Sequence, residues 1–143
     1  METTKLSENA ITIETTVNAS IEKVWQSWTS PEAIQNWCNA SPDWHVPHAA
    51  NDARTGGKFI TRMEAKDGSM GFDFEGVYSE VIPHQSIAYG MADGRQVQIT
   101  FEDYGNAVKV IETFDPENQN PIEMQRGGWQ AILDNFQKYT EEN

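Results

Sequence analysis

The chain has little cysteine, few cations and no long apolar run, and each shortage removes a class of function. Cys38 stands alone, so no intrachain disulfide can form and a reducing cytoplasm is the expected compartment. Ten Lys and Arg face 22 Asp and Glu, for a net charge of −12, and the basic residues are scattered singly. A field of that sign repels phosphate backbones and anionic headgroups, which excludes nucleic acid and the membrane surface as main partners. Its ordinary purpose is solubility. No apolar run approaches the roughly 20 residues that span a bilayer. The polar start METTKLSENA lacks the apolar core of a signal peptide. Repeats, low-complexity tracts and inter-domain linkers are also missing.

Motifs that carry chemistry are equally sparse. His45 and His48 lie three apart on an extended segment and so point to opposite faces. No further His or Cys stands at ligand spacing, so neither a metal nor a cofactor is expected. His84 beside Pro83 reads as a bend residue. With no Ser or Cys in a nucleophile elbow, the histidines make no triad. Cys38 has no basic residue within several positions to lower its pKa, so it reads as a small buried hydrophobe rather than a nucleophile.

What the chain does have is periodicity and aromatic residues. In residues 10–18 Ile11, Ile13, Thr15 and Val17 alternate with polar neighbours, which predicts a strand with one wet side. Ile21, Val24, Trp25 and Trp28 then fall at helical spacing behind Ser20, a natural N-cap. Ser30, Pro31 and Glu32 open a second short helix. Alternation returns in GKFITRMEAK and MGFDFEGVYSEVI, around the turn Asp67-Gly68. It continues in QSIAYGM, RQVQITFED and AVKVIETF, with turns at Asp93-Gly94 and Gly105-Asn106. Beyond the breaker-rich DPENQNP, the residues Trp129, Ile132, Leu133, Phe136 and Thr140 form one stripe of a long helix. Strands and helices are segregated, so the class is α+β. A strongly curved antiparallel sheet wrapped around the C-terminal helix, with two short helices after the first strand, buries every apolar face. One domain over 10–143 is expected, behind a flexible N-terminus over 1–9.

This order resembles a known group. VNASIEKVWQSWTSPEAIQNW is similar to the opening of START-like, Bet v 1-like domains, the SRPBCC superfamily with its helix-grip fold. GGKFITRMEAKDGSMGFDFEGVYSEVIPHQSIAYG resembles the central hairpins of one family within it, the homologues of the activator of heat-shock-protein-ninety ATPase. GWQAILDNFQKYTEE resembles that family's last helix. The resemblance runs from about residue 10 to 141 and implies an apolar cavity between sheet and long helix. It brings no catalytic triad. After Trp37, where family members often carry a second aromatic residue, this chain has Cys38.

The residues expected to line that cavity are Phe59, Phe72, Phe74, Tyr78, Tyr89, Phe101, Glu112, Trp129, Leu133 and Phe136. Trp37 joins them because this fold usually places one edge of its cavity mouth there. Trp25 and Trp28 read as packing beneath the first helix, and Trp44 has no assigned place. Glu112 is in phase with Val108, Val110 and Phe114, so alternation sends it toward the concave side. Carboxylates are rarely buried unpaired, so the default places it near the cavity mouth, solvated or paired with Arg62 or Arg95. The alternative is a carboxylate that reads a polar headgroup or acts as an acid/base. The expected function is binding of a hydrophobic or amphipathic small molecule. A co-chaperone or stress-related interaction module is the second reading. A cyclase or hydrolase using Glu112 and a tyrosine ranks last.

Overall fold

A computed structural model describes residues 6–143 of the chain. Of the segment expected to be flexible, residues 1–5 lie outside the described residues. Within its remainder the Ser7 amide donates to Asp115 Oδ1 at 2.7 Å.

The elements follow the expected order. Strand β1 (Ile11–Val17) leads to helices α1 (Ile21–Thr29) and α2 (Pro31–Trp37), then to six strands and a last helix. The strands are β2 (Trp44–Asn51), β3 (Lys58–Ala65), β4 (Gly71–Ile82), β5 (Ser86–Met91), β6 (Gln96–Asp103) and β7 (Val108–Phe114), and the helix is α3 (Ile122–Glu142). All seven strands form one antiparallel sheet in the order β1-β7-β6-β5-β4-β3-β2.

Local chemistry accounts for the element boundaries. The Ser20 hydroxyl accepts the Lys23 amide at 3.3 Å and the Ser30 hydroxyl accepts the Ala33 amide at 3.4 Å, so both short helices begin on side-chain caps. Pro31 sits where a missing N–H leaves nothing unpaired. The β3–β4 hairpin turns through Gly68 at φ +79°, a conformation that glycine adopts without strain. Shifts of register between Tyr78 and Glu80 in β4, and between His45 and His48 in β2, add twist and help the sheet curl.

The curled sheet presents a single buried face. Ile11, Ile13 and Val17 of β1 lie beside Val108, Val110 and Phe114 of β7 and Val97, Ile99 and Phe101 of β6, all fully or nearly fully buried. Helix α3 lies along β1, where Arg126 donates to the Thr12 carbonyl at 3.3 Å and Gln130 to that of Glu14 at 3.2 Å. Phe136 of α3 meets Trp28 and Trp37 edge-on, with centroids 4.8 and 5.0 Å away. Trp25 packs on Phe101 at 5.4 Å and on His84 at 5.8 Å. One end of the concave face is thus filled with aromatic rings; the other is left open. Among the described residues no helix is long and apolar enough to cross a membrane.

Candidate functional site

The open part of the concave face is a cavity of about 280 Å³ between the sheet, α2 and α3. Of the residues expected from sequence, Trp37, Phe59, Phe72, Phe74, Tyr78, Tyr89, Glu112, Trp129 and Leu133 line it. Phe101 and Phe136 do not. They share the expected faces but sit where α1 has already covered the sheet, and Trp28 packs against both. Trp37 lines the cavity from within rather than from an exposed gate. It is buried, and its indole N–H donates to the Ser27 carbonyl at 2.9 Å. The half-exposed position belongs to Phe72, 49% accessible, which leans toward Trp44 at 6.0 Å.

Sequence reasoning missed other wall residues. Thr61 and Met63 follow Phe59 in the same alternation, so the signal was present. Trp28 and Cys38 were read as packing only, yet both border the space. Asn51 had no signal, because a strand end brings it there, and Arg95, expected only as a partner for Glu112, reaches the wall from a turn.

Close packing fixes the aromatic wall. Phe59 lies against Tyr89, Tyr78 and Phe74 with centroids 4.8, 5.2 and 5.6 Å apart. It can approach β4 only because residue 76 is glycine: a Cβ there would stand 2.8 Å from the Phe59 ring and 2.6 Å from the Gly90 carbonyl. Across the cavity Trp129 stacks flat on Phe114, with centroids 3.9 Å apart and planes 6° apart. Tyr78 Oη donates to Asn51 Oδ1 at 2.5 Å, and Asn51 Nδ2 donates to the Thr29 carbonyl at 2.7 Å. This chain of bonds ties the cavity wall to the end of α1.

Glu112 is the feature that departs from expectation. Its cross-strand neighbours are Ile13 and Ile99, both buried, and the residue itself is only 6% accessible. Neither arginine reaches it. Arg62 Nε is bound to Glu64 at 2.9 Å, and Arg95 Nε to Asp93 at 2.7 Å. Among the described residues no hydrogen bond or ion pair reaches the Glu112 carboxylate, so of the two default readings, solvated at the mouth or paired with arginine, the pairing is not what the fold builds. Desolvation by its apolar surroundings raises the Glu112 pKa from 4.5 to about 8.

The neighbouring titratable groups stay protonated. Burial, reinforced by the Glu112 charge, pushes the Cys38 thiol up to about 12. Burial also drives the Tyr89 phenol well above its ordinary value, again with Glu112 contributing. The Tyr78 phenol is raised by burial too, against a smaller lowering by its bond to Asn51. The cavity therefore holds no thiolate nucleophile at neutral pH. Among the described residues no three His, Cys, Asp or Glu gather as a metal-ligand set. A second cleft, of about 370 Å³, lies between the loop after α2 and the end of α3. It is open and polar, and its amides are already committed: Asn36 to the Glu32 carbonyl, Asn39 to that of Ser41, Asn135 to that of Asn39.

A curled antiparallel sheet closed by one long C-terminal helix, with two short helices after the first strand, is the helix-grip fold of START-like domains. Within that class the chain belongs to a family described as Activator of Hsp90 ATPase homolog 1-like protein, whose model matches residues 18–141. It is similar to the solution structure of an AHSA1-like protein from Aeromonas hydrophila, with 41% identity and a TM-score of 0.87 over 93% of this chain and 92% of that one. A protein of Cytophaga hutchinsonii, also solved in solution, shares 55% identity with a TM-score of 0.82 over 94% of each chain. A crystal structure from Chromobacterium violaceum, at 22% identity and a TM-score of 0.83 over 94% of this chain and 99% of that one, shares the fold. No curated protein matches the chain.

Proposed function

We propose that this chain is a one-domain binding protein that holds an apolar or amphipathic small molecule in the cavity between the sheet and α3. The observation that carries this reading is the cavity itself, walled by Trp28, Trp37, Phe59, Phe74 and Trp129, with a single carboxylate among its lining residues. Mostly apolar walls with a few convergent polar groups are what small-molecule sites have in common. No chemistry is required of it. With one cysteine, buried and protonated, the setting we propose is the reducing cytoplasm.

The test is native mass spectrometry of protein purified from cells, followed by titration with a panel of lipids and aromatic compounds. Three tryptophans border the space, so bound ligand should change intrinsic fluorescence. A chain that carries no ligand and gives no response across the panel would sink the reading. The family's description supports a second one, a module that engages a chaperone. Stable capture of a purified Hsp90-type chaperone by the protein with its cavity empty would favour it.

A further inference from the structure

We propose that the cavity selects an organic ammonium ion, a compact amphipathic amine whose cationic nitrogen sits at Glu112 and whose apolar body packs on the aromatic wall. The assignment rests on reading the cavity as a small-molecule site and deepens it by naming the ligand's charge.

Glu112 is more than nine-tenths buried, borders the cavity and has no partner among the described residues. A carboxyl so placed lacks a hydrogen-bond donor or a cation, and an ammonium group supplies both. The other polar groups on the wall do not compete for it. Cys38 and Tyr89 are protonated and neutral, Tyr78 is engaged with Asn51, and Arg95 is held by Asp93. The wall also suits a cation, because the faces of Trp and Phe rings attract positive charge in a desolvated site. At long range the net charge of −12 concentrates cations and disfavours anions near the molecule.

Size narrows the class further. A cavity of about 280 Å³ stands at the small end of the range for ligand pockets, which suits a single ring or short chain. Protons balance simply. In the empty cavity the carboxyl is protonated at neutral pH, since its pKa stands at about 8. Binding of the ammonium leaves a carboxylate–ammonium pair and releases that proton to solvent.

The experiment uses the full chain and three probes with a similar body: 2-phenylethylamine, 2-phenylethanol and 3-phenylpropionate. Affinities come from calorimetry and tryptophan fluorescence, for wild type and Glu112→Gln. The amine should bind at least about tenfold more tightly than the alcohol, and the acid more weakly than either. Glu112→Gln should bring the amine down to the alcohol's affinity while leaving the alcohol nearly unchanged. Because a proton is released, amine affinity should rise by about tenfold per pH unit between pH 6 and 7 and level off above about 8. If the variant did not fold, the wild-type amine-to-alcohol ratio and the pH series would still decide. An alcohol or acid that matches the amine, or a preference untouched by Glu112→Gln, overturns the ammonium assignment and leaves the cavity reading standing. Binding by the wider apolar panel without the amine does the same. Silence from every compound overturns both.

Discussion

Glu112→Gln also tests the architecture without any ligand. The folded carboxyl has a pKa of about 8 against 4.5 for an exposed one, so across that window the unfolded chain binds fewer protons than the folded chain. Stability contributed at this site therefore falls as pH rises from 4.5 to 8. Below the window the group is protonated in both states and exacts no penalty. At pH 7 the linkage relation gives a penalty of about 3 kcal/mol, against less than about 1 kcal/mol at pH 5. Glutamine keeps the shape and cannot ionise, so the variant should be stabilised by up to about 3 kcal/mol at pH 7 and hardly at all at pH 4. For 143 residues the unfolding entropy is about 0.3 kcal/mol per kelvin, so the Tm at pH 7 should rise by about 10 °C. Thermal unfolding of both proteins by circular dichroism from pH 4 to 9 measures the difference, in which the remaining carboxylates cancel. A difference flat with pH, or a variant less stable at neutral pH, would show that Glu112 is solvated or paired and would refute the argument.

Other perturbations follow from single contacts. Tyr78→Phe removes the donor to Asn51 Oδ1 and should lose about 1–2 kcal/mol in urea unfolding; an unchanged midpoint would mean that water replaces the hydroxyl. Gly76→Ala puts a methyl into the Gly90 carbonyl and the Phe59 ring, so unfolding by denaturant should register a loss of about 1–3 kcal/mol. Gly127→Ala acts in the opposite direction. An added Cβ meets nothing within 4 Å, and replacing a helical glycine should gain about 0.5–1 kcal/mol in the same assay. Cys38 should resist Ellman's reagent at pH 8 until the protein unfolds, and rapid labelling of the native chain would contradict its buried, protonated state.

Most of the fold was legible because most of its strands have one buried face. Alternation in β1, β5, β6 and β7 survives intact in the burial pattern, and the serine caps and Gly turns lie where local chemistry put them. Strand β2 was harder. Pro47 and a shift of register interrupt WHVPHAAN, so the segment read as extended chain without a clear face. The cavity was legible as a face but not as a volume. Phe101 and Phe136 obey the same periodicity as Tyr89 and Leu133, and only the placement of α1 decides which rings are covered and which border open space. Trp28 shows the converse, since a helical stripe gives the direction of a side chain but not what it leaves unfilled. The run from Trp25 to Trp44 therefore divides. Trp25 packs with Phe101, Trp28 and Trp37 build the closed end of the cavity, and Trp44 stands near its rim beside Phe72.

That Glu112 lacks a partner among the described residues could not be read from sequence, because a pairing rule predicts arginine, and Arg62 and Arg95 are engaged elsewhere. Valine or leucine at 112 would continue the inward face of Val108, Val110 and Phe114, favour the strand and remove the ionisation penalty. Every local preference in β7 thus favours an apolar residue at the position that carries the carboxylate. Sequences that specify one structure keep local and global preferences consistent, and departures collect where function demands them. A cation in the cavity reverses the balance at this point, since it supplies the missing charge partner and fills the apolar space in one step. The empty protein is then the less stable form, and a bound amine should raise its melting temperature with ligand concentration as mass action requires. That coupling gives the buried carboxylate a physical reason to stand where an aliphatic side chain would fold more easily.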